Sequence, residues 1–250
     1  MLIFWKSIKR LSLPWLVAIL VYLSVLFFSV YISNSNTLIK YPIQAYQFGS
    51  EPVDLFFPLF VTIPFTWPIY FLRKDNFLEY VSMRIAPRKY LIIQAIASLS
   101  LCFVLVFLVN IAGLAFSLNI ANLNNTVQGT SLDGYILGEM QMVNPIQFGL
   151  FWSFYKAIIG MLICALGLIF AFYVKNLFFV FLAPFAIVFL ENFLTGITGF
   201  ARFSFTTTFV LNRLDPNVML AKNLIVGIFM FIMVIFVAQR ILVHYDHQNN

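Results

Sequence analysis

Residues 91–118 read LIIQAIASLSLCFVLVFLVNIAGLAFSL and contain no charged side chain. A bilayer core of roughly 30 Å is crossed by about 20 consecutive apolar residues in a helix. This stretch is long enough to span a membrane with a tilt, and its notable irregularities are Asn110 and Gly113. It therefore predicts a membrane-spanning helix.

The composition of the whole chain indicates the same class. Of its 250 residues, 62% are hydrophobic and only 10% are charged, and the mean hydropathy is +0.95. So much apolar surface cannot be hidden inside one soluble core, so lipid is predicted to surround most of the chain. We expect one all-α integral membrane domain, 1–250.

Similar apolar stretches recur on both sides of 91–118, with polar breaks between them. The break at Lys175 and Asn176 is so short that it permits only an antiparallel hairpin. The predicted transmembrane helices are about 13–32, 53–72, 91–118, 148–174, 177–191 and 224–243. A helical face of Phe4, Trp5 and Ile8 opposite Lys6 and Lys9 predicts an interfacial helix at 1–12. The alternative for 1–12 is the charged start of a signal peptide, but the following apolar run is too long and lacks a cleavage site.

Positive charges fall unevenly on the two sides of a six-span topology. Ten of the 15 Lys and Arg residues lie on the side of the N-terminus, four lie opposite, and Lys156 stays unassigned. Short loops rich in Lys and Arg remain cytoplasmic, which predicts a multi-pass plasma-membrane protein with both termini in the cytoplasm. The net charge of +6 is thus a topology signal, and no nucleic-acid partner is expected.

Ionisable side chains inside apolar spans are costly and therefore functional by default. Lys156 is expected to snorkel to the outer interface if the fourth span begins at 157. Glu191 follows the apolar run 178–190, which is too short to cross alone. It is either an interfacial carboxylate or a gate residue that pairs with Lys156 or Arg202.

The segment 191–200 is dense in Gly and Thr, which a broken backbone buried in protein requires. We therefore expect an outer re-entrant segment there, with Glu191, Gly196 and Gly199 forming an outer gate.

A short cationic helix is predicted between the second and third spans. Asn76 can cap a helix whose third residue is Glu79, and Pro87 ends it, which gives a helix at 76–86. One side can pack on the membrane domain while the other meets a cytosolic partner. The alternative is a solvated loop.

Residues 77–91, FLEYVSMRIAPRKYL, are similar to the segment between the second and third spans of type-2 ATP-binding-cassette exporter permeases. In that family the segment is the coupling helix that docks on a separate ATPase. The flat N-terminal helix, six spans, short hairpin and broken segment after the fifth span match the same family along nearly the whole chain. Asp75 and Asn76 depart from the family's frequent Gly-Thr, and Arg84 is an unusual extra cation.

The resemblance implies a permease subunit that works with a separate ABC ATPase and a second permease chain, identical or related. The sequence contains no G-x-x-x-x-G-K-[ST] phosphate loop, so we expect no enzyme activity, catalytic residue or metal site here, with ATP and Mg bound by the partner. The residues implied to couple to the ATPase are Phe77, Leu78, Glu79, Tyr80, Ser82, Met83, Arg84, Lys175 and Asn176.

Cargo is inferred from aromatic and proline residues. Aromatic residues make up 18% of the chain, and prolines bend the second span, which we expect to line the pathway. The pathway-lining candidates are Phe57, Pro58, Pro64 and Trp67. Such a lining suits amphipathic or hydrophobic cargo, with toxin or antimicrobial peptides as the first candidate. A multidrug or lipid exporter permease and a non-transporting immunity or scaffold protein are the alternatives.

Replacing Glu79 and Arg84 together with Ala is expected to leave the protein inserted but uncoupled from its ATPase. Truncating charged contacts at an interface weakens association more than folding, so stimulated ATPase activity should fall on the order of tenfold. ATPase assays on the reconstituted complex measure this. Normal stimulation and transport in the double variant would contradict the coupling assignment.

Overall fold

The computed structural model describes residues 2–35, 40–74, 86–120, 132, 134–211, 213–214 and 221–248. This described part is helical and contains no strand. Its helices are α1 (Leu2–Ser33), α2 (Pro42–Asp54), α3 (Phe57–Lys74), α4 (Pro87–Ile120), α5 (Gly138–Val143), α6 (Pro145–Tyr173), α7 (Leu177–Ile197), α8 (Phe205–Phe209) and α9 (Ala221–Gln248), with a 3-10 turn at Ala201–Phe203.

Five of the described helices are long and apolar enough to cross a membrane, namely α1, α4, α6, α7 and α9. Helices α2 and α3 pass the same test only as a pair, bent by 57° at a short break. The described residues therefore carry five candidate spans, or six if the bent pair is one span. This confirms the predicted class of an all-α, multi-pass membrane protein.

Helix α6 lies at the centre of the bundle. It contacts α3, α4, α5, α7, α8 and α9. Two thirds of its apolar window, 67%, is buried inside the protein, against 17% for α9. The apolar surface of the peripheral helices is therefore left for lipid, whereas α6 faces protein on most sides.

Helices α1, α2 and α4 are joined by close packing and by buried hydrogen bonds. A methyl group on Gly49 of α2 would lie 2.5 Å from the Val30 Cα of α1. The Tyr46 hydroxyl donates to Oδ1 of Asn110 in α4, and Gln47 Nε2 donates to Gln141 Oε1 of α5 at 2.7 Å. The irregularity noted at Asn110 in the sequence is thus the acceptor for a buried tyrosine.

The boundary predicted between an interfacial helix at 1–12 and a first span at 13–32 is absent. Helix α1 runs without a break through Pro14, so both segments belong to one helix. Proline removes one backbone donor, and a single lost bond does not end a helix of 32 residues whose Leu11 and Ala18 are buried.

The second predicted span, 53–72, is instead the bent pair of α2 and α3. Helix α2 ends at Asp54, and Pro58, four residues later, has no N–H to donate to the Asp54 carbonyl, which favours a break at this point. The preceding helix α2 lies in what the sequence suggested was a loop. In the same way, α5 lies inside the predicted polar segment 119–147.

The fifth span extends beyond its predicted end at 191. Helix α7 continues through Glu191 to Ile197 and is 21 residues long, which is enough to cross. The helix ends where Gly199 adopts a positive φ of 77°. A charged side chain with a hydrogen-bond partner does not interrupt a helix, whereas a glycine with left-handed backbone conformation commonly ends one. The predicted re-entrant segment at 191–200 is therefore mostly helix.

The chain turns back after α7 instead, over residues 198–211, which we call the returning segment. It contains the 3-10 turn and α8. The predicted coupling helix at 76–86 lies outside the described residues except for Ala86.

Gly49→Ala is expected to destabilise the protein because the added methyl group meets the backbone of Val30, which cannot move aside. Overpacking of this kind costs about 1–3 kcal/mol. Gly196→Ala is the matched control, since nothing lies within 4 Å of its added carbon and Ala favours the helix. Thermal unfolding in detergent compares the two, and equal melting temperatures would contradict the close α1–α2 approach.

Candidate functional site

A buried ion pair joins the bend between α2 and α3 to the central helix. Lys156 Nζ of α6 lies 2.6 Å from Asp54 Oδ1 at the end of α2, and the side chains are 1% and 2% exposed. The ammonium also lies 5.5 Å from the centroid of the Phe57 ring in α3. Two charges held inside an apolar bundle are costly unless each compensates the other. This pair is therefore the first candidate for a functional site.

The expected roles of Lys156 were wrong. It neither reaches the outer interface nor pairs with Glu191, because α6 begins at Pro145 and Lys156 lies eleven residues further on, about 16 Å along the axis. Asp54 was missed because it stood at the edge of a predicted span. Its signals were a lysine without a counterion in an apolar stretch and a carboxylate four residues before Pro58.

The ion pair also borders the returning segment. Asp54 lines a small cavity together with Asn192 of α7 and Thr206 of α8. Its second oxygen, Oδ2, is buried and has no hydrogen-bond partner among the described residues. The bend, the central helix and the returning segment therefore meet at one polar location.

Glu191 ties α7 to the start of α8. Its Oε2 accepts a hydrogen bond from the Phe205 backbone N–H at 2.9 Å. The Ser204 hydroxyl lies 3.2 Å from the same oxygen and 3.0 Å from Asn192 Oδ1, so it donates to one of them at a time. Glu191 thus satisfies backbone at a helix start, where unpaired N–H groups and the helix dipole favour an anion.

The second half of the returning segment is buried in protein. All residues from 204 to 211 are buried, whereas 198–200 are exposed. The Phe205 ring stacks on Phe231 of α9 at a centroid distance of 4.3 Å, and a methyl group on Gly227 would lie 1.8 Å from Thr208 Cγ2. Thr207 Oγ1 donates to the Ala201 carbonyl at 2.7 Å. Non-helical backbone at such a position is tolerated because protein surrounds it and satisfies its polar groups.

The three predicted gate residues do not lie in one environment. Glu191 is half-buried against the returning segment, whereas Gly196 and Gly199 are exposed, with open space around each. Glu191 interacts electrostatically with the Arg213 guanidinium. Burial lowers the pKa of the Arg213 guanidinium below its ordinary value, and the negative charges of Glu191 and Glu51 oppose that change.

Lys175 and Asn176 form the short hairpin between α6 and α7. The Tyr70 hydroxyl donates to the Lys175 carbonyl at 2.6 Å, and Arg73 Nη1 donates to the Ala171 carbonyl at 3.0 Å. Asn176 Oδ1 accepts from the Phe178 N–H and caps α7. The end of α3 is therefore attached to this hairpin. The other predicted coupling residues, 77–84, lie outside the described part of the chain.

The four pathway candidates divide into two pairs. Phe57 and Pro58 are buried, and the Phe57 ring lies 5.2 Å from that of Phe209 in α8. Pro64 and Trp67 instead line an apolar groove of about 600 Å³ between α1 and α3. The start of α3 therefore belongs to the bundle interior, and the middle of α3 belongs to a lateral surface.

No family model, curated protein or solved structure matches this chain. Among the described residues, no group of three or more His, Cys, Asp or Glu side chains is placed to hold a metal ion. Both cysteines, Cys102 and Cys164, are free and buried. The functional argument therefore depends on the buried polar groups themselves.

Breaking the ion pair on one side is expected to cost more than removing it entirely. Lys156→Met or Asp54→Leu alone strands a buried charge, with a loss of about 3–5 kcal/mol in the free energy of unfolding. The double variant replaces both charges with apolar groups and should recover most of that loss. A double-mutant cycle by thermal unfolding in detergent measures the coupling, and additive losses would show that the two residues do not interact.

Proposed function

We propose that this chain is the membrane-spanning permease subunit of an ABC exporter, driven by ATP hydrolysed on a separate subunit. One observation carries the proposal. The bent pair of α2 and α3, the central helix and the returning segment converge on one polar cluster, in which Asp54, Lys156 and Ser204 are buried and Glu191 and Asn192 are half-buried. The resemblance of residues 77–91 supplies the family.

The polar cluster lies where an exporter needs movable contacts. Asp54 ends α2 at the bend, so a change in the bend moves the carboxylate relative to Lys156 on α6. Ser204 and Asn192 join two elements that are separated by the turn at Gly199. Transporters place their sites at broken helices, because side chains and freed backbone groups meet there. These contacts support a role in opening and closing a pathway.

The two ends of α7 support an outward direction of transport. The hairpin with Lys175 lies at its start, and the returning segment follows its end, about 30 Å away for 21 residues. Positive charges at the hairpin end favour the cytoplasmic side. An ATPase would then act at the hairpin, and the returning segment would close the outer exit.

The lining of the lateral groove supports apolar cargo. Pro64, Trp67 and the facing α1 residues Leu13, Val17 and Val21 are apolar. Such a surface suits amphipathic or hydrophobic molecules and is a poor match for sugars or ions. We propose peptides as the cargo, with two permease chains enclosing the pathway and with ATP and Mg²⁺ bound only by the partner ATPase.

The proposal is tested by isolating the full chain from its native membranes in mild detergent and identifying its partners. We expect a P-loop ATPase to co-purify, and the reconstituted complex to move an amphipathic peptide in an ATP-dependent manner. A non-transporting immunity or scaffold protein would retain a peptide without an ATPase. That result, or ATPase activity unaffected by loss of the chain, would overturn the proposal.

Glu191→Ala is expected to reduce export while ATPase association persists. The variant removes the acceptor for the buried Phe205 N–H, which costs about 1–3 kcal/mol in the closed arrangement of the returning segment. Glu191→Gln keeps an acceptor oxygen and should retain more activity. Thr198→Ala is the matched control, since the acceptors of its hydroxyl among the described residues are the Leu194 and Thr195 carbonyls of α7, and no contact with residues 204–211 is lost. Equal export by the Ala variant and the control would contradict the gate.

A further inference from the structure

A small cavity lies beside the ion pair, where α2, α7 and α8 meet. Its volume is about 10 Å³, and its polar lining among the described residues consists of Asp54, Asn192 and Thr206. A cavity needs roughly 10–15 Å³ to hold one water molecule, provided that polar groups surround that molecule. The cavity therefore has room for one water or one small ion, and it excludes larger ligands.

The carboxylate that lines this cavity has one oxygen without a donor. Asp54 Oδ1 lies 2.6 Å from Lys156 Nζ, whereas Oδ2 is buried and has no hydrogen-bond partner among the described residues. A buried charged oxygen without a hydrogen bond is costly, and buried polar groups in native proteins are bonded to protein or to ordered water. Because Asp54 lines the cavity, a molecule bound there can supply the donor that Oδ2 requires.

The other two polar residues complete the surroundings that a buried water requires. The Thr206 hydroxyl on α8 can donate or accept a hydrogen bond. On α7, the Asn192 Oδ1 lies 3.0 Å from the Ser204 hydroxyl, so the amide nitrogen is the group that can donate into the cavity. A buried water typically makes about three hydrogen bonds. Asp54, Asn192 and Thr206 provide that number from three different helices.

We propose that the cavity binds one water molecule, which donates to Asp54 Oδ2 and links α2 to α7 and α8. Water fits this position better than Na⁺, because the Lys156 ammonium already compensates the carboxylate and repels a second cation. The bound water extends the ion pair into a hydrogen-bonded network that reaches the returning segment. The inference is independent of the proposed transport function.

Radiolytic hydroxyl-radical labelling of the full chain in detergent, analysed by mass spectrometry, tests for the bound water. Radicals formed from a bound water oxidise the side chains next to it, even where bulk water does not reach. Phe209 lines the cavity and is only 1% exposed, and we expect it to be oxidised. Phe231 is the matched control, because it is 0% exposed and is not among the described residues that line the cavity. Equal oxidation of the two rings would overturn the proposal.

Variants at the cavity separate the effect of its polarity from that of its volume. Thr206→Val removes one hydrogen-bond partner and should weaken binding of the water about fivefold, with less oxidation of Phe209. Thr206→Ser keeps the hydroxyl and should retain the oxidation. Val188→Ile adds a methylene group at the cavity wall and should exclude the water. Because an unfolded variant would also expose Phe231, oxidation of that ring reports the folding of each sample.

Two further results decide between the possible sources of the signal. Oxidation of Phe209 that is unchanged in both Thr206→Val and Val188→Ile would assign the signal to bulk water and contradict the proposal. Loss of the oxidation in sodium chloride, compared with choline chloride at equal ionic strength, would assign the cavity to Na⁺ instead. Equal oxidation in the two salts supports the water assignment.

Discussion

The ion pair between Asp54 and Lys156 is the constraint on which the arrangement of the bundle depends. Both side chains are almost fully buried within apolar helices, where an unpaired charge costs several kcal/mol. The pair can form only if α6 turns this face inward and α2 ends at the level of Lys156. Helix α6 is then the common neighbour of α3, α4, α5, α7, α8 and α9, which pack around it.

The carboxylate lies at the break between α2 and α3, which are bent by 57°. Pro58 cannot donate a hydrogen bond to the Asp54 carbonyl, and this favours the end of α2 at Asp54. In the returning segment the groups that need partners are backbone N–H groups, because residues 204–211 are buried. Glu191 provides one by accepting from the Phe205 N–H. In both places a carboxylate compensates a buried polar group near the end of a helix. Asp54 pairs with the Lys156 ammonium, and Glu191 accepts from the Phe205 N–H.

Hydropathy predicted the spanning helices because crossing a bilayer requires mainly a sufficient length of apolar residues. The uncharged stretch 91–118, for example, lies within α4. The same criterion placed the end of the fifth span at Glu191, because it treated a charged residue as a helix boundary. The partner of a carboxylate is a tertiary contact, and neither Asp54 with Lys156 nor Glu191 with Phe205 is adjacent in sequence. The re-entrant segment predicted at 191–200 is mostly helix, and the turn at Gly199 near its end was found only in the structure.

The two ends of α7 differ in burial: its start is exposed, whereas residues 204–211 of the segment that follows its end are buried in protein. At the start, Asn176 caps the helix beside Lys175, and both residues are exposed. At the other end, the returning segment keeps its threonines and backbone bonded inside protein. A surface that water already solvates can exchange partners at little cost. A buried polar segment cannot separate from its neighbours without new partners for its freed groups, so it is held more firmly than the exposed hairpin.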